Sequence, residues 1–90
     1  MLAKILVEGR VQGVGFRYTV FQKAVEKGIR GWVLNNDDGT VSIEAEGDQE
    51  TLQQFIGDLK RGLNPFIRIT DMKVEFLEEE KGYKKFQIRY

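Results

Sequence analysis

The sequence contains no cysteine and no histidine. The absence of cysteine excludes a scaffold held together by disulfides and also excludes a thiol nucleophile. The absence of histidine removes Ser-His pairs and the usual general base near neutral pH. Without either residue the familiar zinc-ligand spacings are also missing. Any chemistry therefore depends on arginine, lysine, asparagine, carboxylates and backbone groups.

The sequence also lacks net charge and long apolar runs. Its 14 Lys and Arg residues balance 14 Asp and Glu residues and are spread along the 90 positions, which argues against nucleic acid as a partner. No apolar run approaches the roughly 20 residues needed to span a membrane, and Met1 leads directly into a predicted strand without a signal-peptide pattern. We predict one domain over residues 1–90 that acts as a cytoplasmic monomer and does not bind membranes.

Hydrophobic periodicity predicts five strands and two helices. Apolar residues alternate or cluster in the segments read as strands, and recur at helical spacing in the segments read as helices. Gly28 after the first helix and Asp48 before the second have the residue types of helix caps. The predicted strands cover 4–9, 29–35, 40–46, 69–77 and 86–90, and the predicted helices cover 16–27 and 49–61.

This order, β-α-β-β-α-β with a short C-terminal strand, predicts an α+β protein with the ferredoxin-like α/β sandwich. We expect an antiparallel sheet with two helices on one face. In that topology the first two helix-linked strands are parallel and the third strand lies between them. The end of the second strand, Asn35, then reaches the same sheet edge as the loop after the first strand.

The segment from Gly9 to Arg17 predicts a site for a small anion. Its three glycines allow backbone N–H groups to turn toward one point. The start of a helix adds free N–H donors and the positive end of the helix dipole. Arg17 has an unfavourable sign at that helix end unless an anion is bound there. With strands spaced as in a sheet, Arg17 and Asn35 start roughly 9 to 10 Å apart and are able to contact one small ligand.

These residues closely resemble the paired signatures of the acylphosphatase family, whose members include small single-domain enzymes. The first signature is Gly9-Arg10-Val11-Gln12-Gly13-Val14-Gly15-Phe16-Arg17. The second comprises Gly31-Trp32-Val33-Leu34-Asn35 and Asp38-Gly39-Thr40-Val41. The resemblance extends over the full chain, including the C-terminal segment from Phe86 to Tyr90. The chain departs from the family pattern outside these signatures, where its loop from Gly62 to Phe66 differs from the Gly-Pro-Pro-type segment common in relatives.

The resemblance implies hydrolysis of the carboxylic-phosphoric anhydride of small acyl phosphates, with inorganic phosphate as a product. It assigns phosphate binding to Arg17 and water positioning to Asn35. The phosphate-binding loop that it implies comprises Gly9, Arg10, Val11, Gln12, Gly13, Val14, Gly15 and Phe16. The carboxylate leaving group has a conjugate acid with a pKa of about 4 to 5, so no general acid is needed. We therefore expect direct attack by a positioned water, with no metal, cofactor or covalent intermediate.

Two alternatives without catalysis fit the same fold. A ferredoxin-like RNA-binding module is suggested by the segment from Lys81 to Phe86, which loosely resembles the start of an RNP1 motif. That segment is not on the central third strand, however, and the solvent face of the third strand is acidic. A regulatory small-ligand domain would keep the sheet but would not require both Arg17 and Asn35.

Overall fold

The computed structural model describes all 90 residues and contains five strands and two helices. Each predicted element is present, with small differences at the ends. The first strand is longer than predicted because it pairs from Leu2 to Val7 with the third strand and from Leu2 to Arg10 with the fourth. The elements are β1 (Leu2–Arg10), α1 (Phe16–Glu26), β2 (Arg30–Asn35), β3 (Val41–Glu46), α2 (Gln49–Lys60), β4 (Arg68–Leu77) and β5 (Phe86–Arg89).

The strands form one sheet in the order β4-β1-β3-β2-β5. β3 pairs antiparallel with both β1 and β2, so β1 and β2 are parallel with β3 between them, as predicted. The prediction of a purely antiparallel sheet is wrong for β5, which pairs parallel with β2 and makes the sheet mixed. The reason is the path of the chain between the two outer strands. Residues 78–85 cross the sheet from β4 to β5, and β5 begins at the same end of the sheet at which β4 finishes. The C-terminal end of β5 therefore lies at the same end of the sheet as the C-terminal ends of β1 and β2.

The hydrophobic core lies between one sheet face and the two helices, which confirms the ferredoxin-like class. Alternate side chains of β1 and β3 point into it, and each helix buries one apolar stripe against them. The main contributors are Ala3, Ile5, Val7, Phe16, Val20, Ala24, Val33, Val41, Ile43, Ala45, Leu52, Phe55, Ile56 and Leu59.

Gly9 allows an unusually close approach between β1 and β4. Its φ is +131°, at a β-bulge between Glu8 and Gly9, and a Cβ at this position would lie 2.0 Å from the Arg68 carbonyl oxygen. Only glycine fits there without moving the strand. The bulge thus defines how β1 ends and how the following loop begins.

The buried carboxylate of Glu46 holds the crossing segment to the sheet. It accepts hydrogen bonds from the backbone N–H groups of Lys81, Gly82 and Tyr83 at 2.5, 3.2 and 3.0 Å, and Arg30 lies 3.9 Å away. Burial by itself would raise the pKa of Glu46, but the three N–H donors and the Arg30 charge outweigh it and lower the pKa below its ordinary value. The backbone of the segment that leads into β5 is therefore attached to the sheet through the Glu46 carboxylate.

Replacing Glu46 by glutamine should destabilise the protein by about 2 kcal/mol at pH 7, because charge-assisted hydrogen bonds to buried donors are lost. A lowered folded-state pKa means that the charge stabilises the fold above the unfolded-state pKa and loses this effect as pH falls through the folded-state pKa. We therefore expect the gap in unfolding free energy between the two proteins to narrow under acid conditions. Urea titrations at several pH values measure it, with exposed Glu79→Gln as control. A gap that stays constant in acid would contradict the assignment.

The RNP1-like segment lies on this same crossing. The Tyr83 hydroxyl donates to Glu44 at 2.6 Å and accepts from the Trp32 indole at 3.0 Å, so its ring is held against the sheet. An RNA-binding ring of this type is expected to stand free on a central strand. The structure thus offers no support for the RNA-binding alternative at this segment.

Candidate active site

The loop between β1 and α1 presents unpaired backbone donors. Gly13 and Gly15 adopt left-handed conformations with φ of 75° and 79°, and Gly15 caps α1 without any side-chain hydrogen bond. None of the backbone N–H groups from Gln12 to Tyr18 donates to an acceptor within the protein. The first turn of α1 also contains no acidic residue. This combination of free donors and a positive helix end favours a small anion.

Arg17 lies in the first turn of α1 and extends toward the end of β5. Its Nη1 donates to the backbone carbonyl of Arg89 at 3.0 Å, and its guanidinium carbon lies 4.7 Å from the centre of the Tyr90 ring. No carboxylate forms an ion pair with it. The guanidinium is therefore held in place by uncharged partners, and its positive charge remains available to a ligand.

Asn35, the last residue of β2, carries a buried side-chain oxygen, Oδ1, with no hydrogen-bond partner. An unsatisfied buried acceptor costs about 1 to 3 kcal/mol and usually marks a place where a water or ligand binds. The adjacent hairpin is well bonded, because the Asn36 amide donates to the hydroxyls of Thr40 and Ser42. Asn35 Oδ1 therefore lacks a hydrogen-bond partner although the hairpin next to it is held by side-chain hydrogen bonds.

The two side chains line one cavity of about 240 Å³, as the shared sheet edge predicts. Four of the eight predicted loop residues line it, namely Val11, Gly13, Gly15 and Phe16. The others, Gly9, Arg10, Gln12 and Val14, lie outside its lining. Three residues that sequence reasoning missed, Tyr18, Ile88 and Tyr90, complete the wall. No local sequence signal identifies Ile88 and Tyr90, because they reach the cavity only through the parallel pairing of β5 with β2, which ends at Asn35.

The loop residues outside the cavity lining have other positions. Gly9 belongs to the β-bulge, and Arg10 is exposed opposite Arg68 of β4. The Gln12 amide donates to the backbone carbonyls of Asn36 and Thr40 at 2.8 and 2.9 Å. Gln12 therefore ties the loop to the hairpin that carries Asn35.

A larger cavity, of about 350 Å³, lies against the sheet around Trp32, Lys4 and Glu44. It contains neither the glycine loop nor a helix N-terminus, and its charged side chains are of both signs. The unpaired cation, the unsatisfied amide and five of the seven residues with free N–H groups line the smaller cavity, which is therefore the candidate functional site. No group of three or more Asp or Glu side chains is arranged to hold a metal ion, and neither helix is long and apolar enough to cross a membrane.

Fold and site together define a ferredoxin-like protein with a cavity at one end of the sheet that is lined by Arg17, Asn35 and glycine-rich loop residues. The family model described as "Acylphosphatase" matches residues 3–88. The acylphosphatase of Bacillus licheniformis is 52% identical over 97% of this chain and 96% of its own length. The chain therefore belongs to the acylphosphatase family, and similarity at this level over nearly its whole length makes it an acylphosphatase-type enzyme, a hydrolase.

Solved structures of acylphosphatases have the same fold as this chain. The crystal structure of acylphosphatase from Bacillus subtilis superposes with a TM-score of 0.95 at 46% identity and covers all of both chains. An acylphosphatase structure from Coxiella burnetii gives a TM-score of 0.86 at 31% identity, over 98% of this chain and 90% of that one. The architecture is thus common to relatives of quite different sequence.

Proposed function

We propose that the chain hydrolyses the carboxylic-phosphoric anhydride of small acyl phosphates in the cavity between the 11–17 segment and Asn35. The observation that carries the proposal is the set of unpaired backbone N–H groups from Gln12 to Tyr18, which faces no acidic residue of its own helix turn. A phosphoryl group supplies the acceptors that these donors lack. Its negative charge also offsets the unfavourable position of Arg17 at the helix N-terminus.

Arg17 binds the phosphoryl oxygens in this proposal. Its planar guanidinium can donate two parallel hydrogen bonds to phosphate, and one of its five N–H donors is already engaged by the Arg89 carbonyl. The contacts to Arg89 and Tyr90 hold the side chain before substrate arrives, so little conformational entropy is lost on binding. The charge that develops on the transferring group is then neutralised by a preorganised cation.

Asn35 positions the attacking water. Its free Oδ1 accepts a hydrogen bond from the water and directs a lone pair toward phosphorus, and the amide does so without titrating. The water oxygen forms a bond to phosphorus while the bond between phosphorus and the acyl oxygen breaks. The electron pair leaves with the carboxylate, and the proton of the water passes to the phosphate product or to solvent.

This chemistry needs no histidine. A carboxylate leaves without protonation, since its conjugate acid has a pKa of about 4 to 5. Positioning and electrostatic stabilisation therefore supply the catalysis, and all the groups that provide them come from one chain. We accordingly propose a metal-independent, cofactor-free enzyme that works as a single-domain monomer on small molecules rather than nucleic acids. A cytoplasmic location stays a prediction.

Purified protein should hydrolyse acetyl phosphate at the same rate with and without a chelator such as EDTA. An alkyl phosphate monoester serves as the control substrate and should be nearly inert, because its alkoxide leaving group needs a proton and the cavity lining contains no histidine or carboxyl side chain. Release of inorganic phosphate measures both reactions. A rate for acetyl phosphate equal to that in buffer would refute the proposed function, and loss of activity on chelation would refute its metal independence.

A further inference from the structure

The loop between α2 and β4 reaches across to the glycine-rich loop through one side chain, that of Asn64. Its Nδ2 donates to the backbone carbonyl of Val14 at 3.3 Å, although the two residues are 50 positions apart. Asn64 lies in the segment from Gly62 to Phe66, whose sequence differs from the Gly-Pro-Pro type. The deviating loop is therefore in direct contact with the glycine-rich loop, part of which lines the candidate site.

The orientation of the Asn64 amide is determined by its other contacts. Its Oδ1 accepts hydrogen bonds from the backbone N–H groups of Phe66 and Ile67 at 2.8 and 3.2 Å. Both partners are obligate donors, so the atom that faces them is the oxygen. The NH₂ group must then point toward Val14, where it meets a carbonyl acceptor. A side chain bonded in this way on both ends has little freedom to rotate.

The contact controls one particular peptide unit. In a trans peptide the carbonyl of one residue and the N–H of the next point in opposite directions, and no peptide bond in the chain is cis. Holding the Val14 carbonyl toward Asn64 therefore turns the Gly15 N–H away from Asn64. Gly15 lines the cavity, and its N–H has no acceptor in the protein.

This peptide unit needs such a restraint because glycine follows its amide nitrogen. Gly15 has a φ of 79°, and its lack of a Cβ lets it adopt either sign of φ at similar energy. Few interactions within the loop itself therefore oppose rotation of the peptide unit between Val14 and Gly15. We propose that Asn64 is a positioning residue that orients the Gly15 N–H toward the bound phosphoryl group, an inference that rests on the proposed function.

Two variants test the assignment. Asn64→Ala removes the donor and the acceptor, whereas Asn64→Asp keeps the acceptor for the 66–67 turn and places an oxygen against the Val14 carbonyl. Each should weaken the binding of inorganic phosphate by about tenfold, as expected for one lost hydrogen bond to a charged ligand. KM for acetyl phosphate should rise similarly while kcat changes little, because the N–H contacts the phosphoryl group in the ground and transition states alike.

A spectroscopic measurement separates positioning from general damage. In wild type, phosphate should shift the NMR resonance of the Gly15 amide strongly and that of Gly39, outside the cavity lining, very little. The Gly15 response should be lost in both Asn64 variants. Phe66→Asp puts the same charge into the same loop at an exposed side chain and should bind phosphate as the wild type does.

The outcomes are distinguishable. A wild type that neither binds phosphate nor hydrolyses acetyl phosphate would refute the proposed function itself. An active wild type whose phosphate affinity and Gly15 response persist in Asn64→Asp would refute only the role of Asn64, and equal loss in Phe66→Asp would assign the effect to charge. If Asn64→Ala does not fold, Asn64→Asp decides the question, because it keeps the bonds that form the turn.

Discussion

Replacing Arg17 by alanine should lower kcat/KM for acyl phosphates by about 10²- to 10³-fold, comparable to the loss of a preorganised donor at a developing negative charge. The protein should remain folded. Arg17 forms no ion pair, and removing a cation from a helix N-terminus relieves a mild repulsion. Thermal unfolding and phosphate-release assays on the same preparation measure both quantities.

Two further substitutions sharpen this test. Arg17→Lys keeps the charge but cannot offer two parallel donors to phosphate, so we expect most of the activity to be lost. Arg68→Ala removes one positive charge from the same sheet edge at an exposed side chain outside the cavity. Its activity should stay close to that of the wild type. Equal losses of activity in Arg17→Ala and Arg68→Ala would attribute the effect to the electrostatic field of the positive charges and not to a direct contact between Arg17 and phosphate.

Replacing Asn35 by alanine should lower kcat by about 10²-fold, the size of effect expected when a reacting group is misplaced. Affinity for inorganic phosphate should change much less, because the proposed partner of Asn35 is the water. Stability should be unchanged or improved, since the buried Oδ1 that is removed has no partner in the fold. Loss of catalysis without loss of stability is thus the signature of this residue.

Asn36, the neighbour of Asn35, provides a control whose role is structural. Asn36 donates two hydrogen bonds, to Thr40 and Ser42, within the β2–β3 hairpin. Asn36→Ala should therefore destabilise the protein by about 1 to 2 kcal/mol, as expected for lost hydrogen bonds that are partly buried. If Asn35→Ala proved as destabilising as Asn36→Ala, or kept full kcat, Asn35 would be a structural residue and the water-positioning proposal would be wrong.

Asn35→Asp separates geometry from charge at the same position. The carboxylate keeps the shape and an acceptor oxygen but adds a negative charge where a phosphoryl group is proposed to bind. Phosphate affinity should therefore fall together with kcat, in contrast to the alanine variant. Isothermal titration with inorganic phosphate distinguishes the two patterns.

Much of the site could be anticipated from local sequence because its main parts depend on neighbouring residues. Gly13 and Gly15 predict left-handed backbone, and the apolar spacing after Phe16 predicts the start of α1. A single topological rule, the parallel crossover between β1 and β2, then brings Asn35 to the edge where Arg17 lies. Residue types, short spacings and one rule of handedness placed Arg17 and Asn35 at one end of the sheet, and the family resemblance was needed to single out Asn35 from the turn-forming residues beside it.

The remaining contacts join parts of the chain that are far apart in sequence. The Arg89 carbonyl that holds Arg17 is 72 residues away from it, and Asn64 is 50 residues from Val14. Alternation along a strand reveals which side chains share a face but not the direction in which the strand runs, so the antiparallel expectation for β5 was wrong.

The sequence alone determined the fold class and placed Asn35 at the same end of the sheet as the loop before Arg17, because periodicity, local backbone preference and the handedness of the crossover decide both. Tertiary structure decided how those groups are held. The path of residues 78–85, attached by Glu46, sets the direction of β5 and so brings Arg89 and Tyr90 to Arg17. Such contacts depend on the closure of long loops, whose ends carry no local signal of where they will meet.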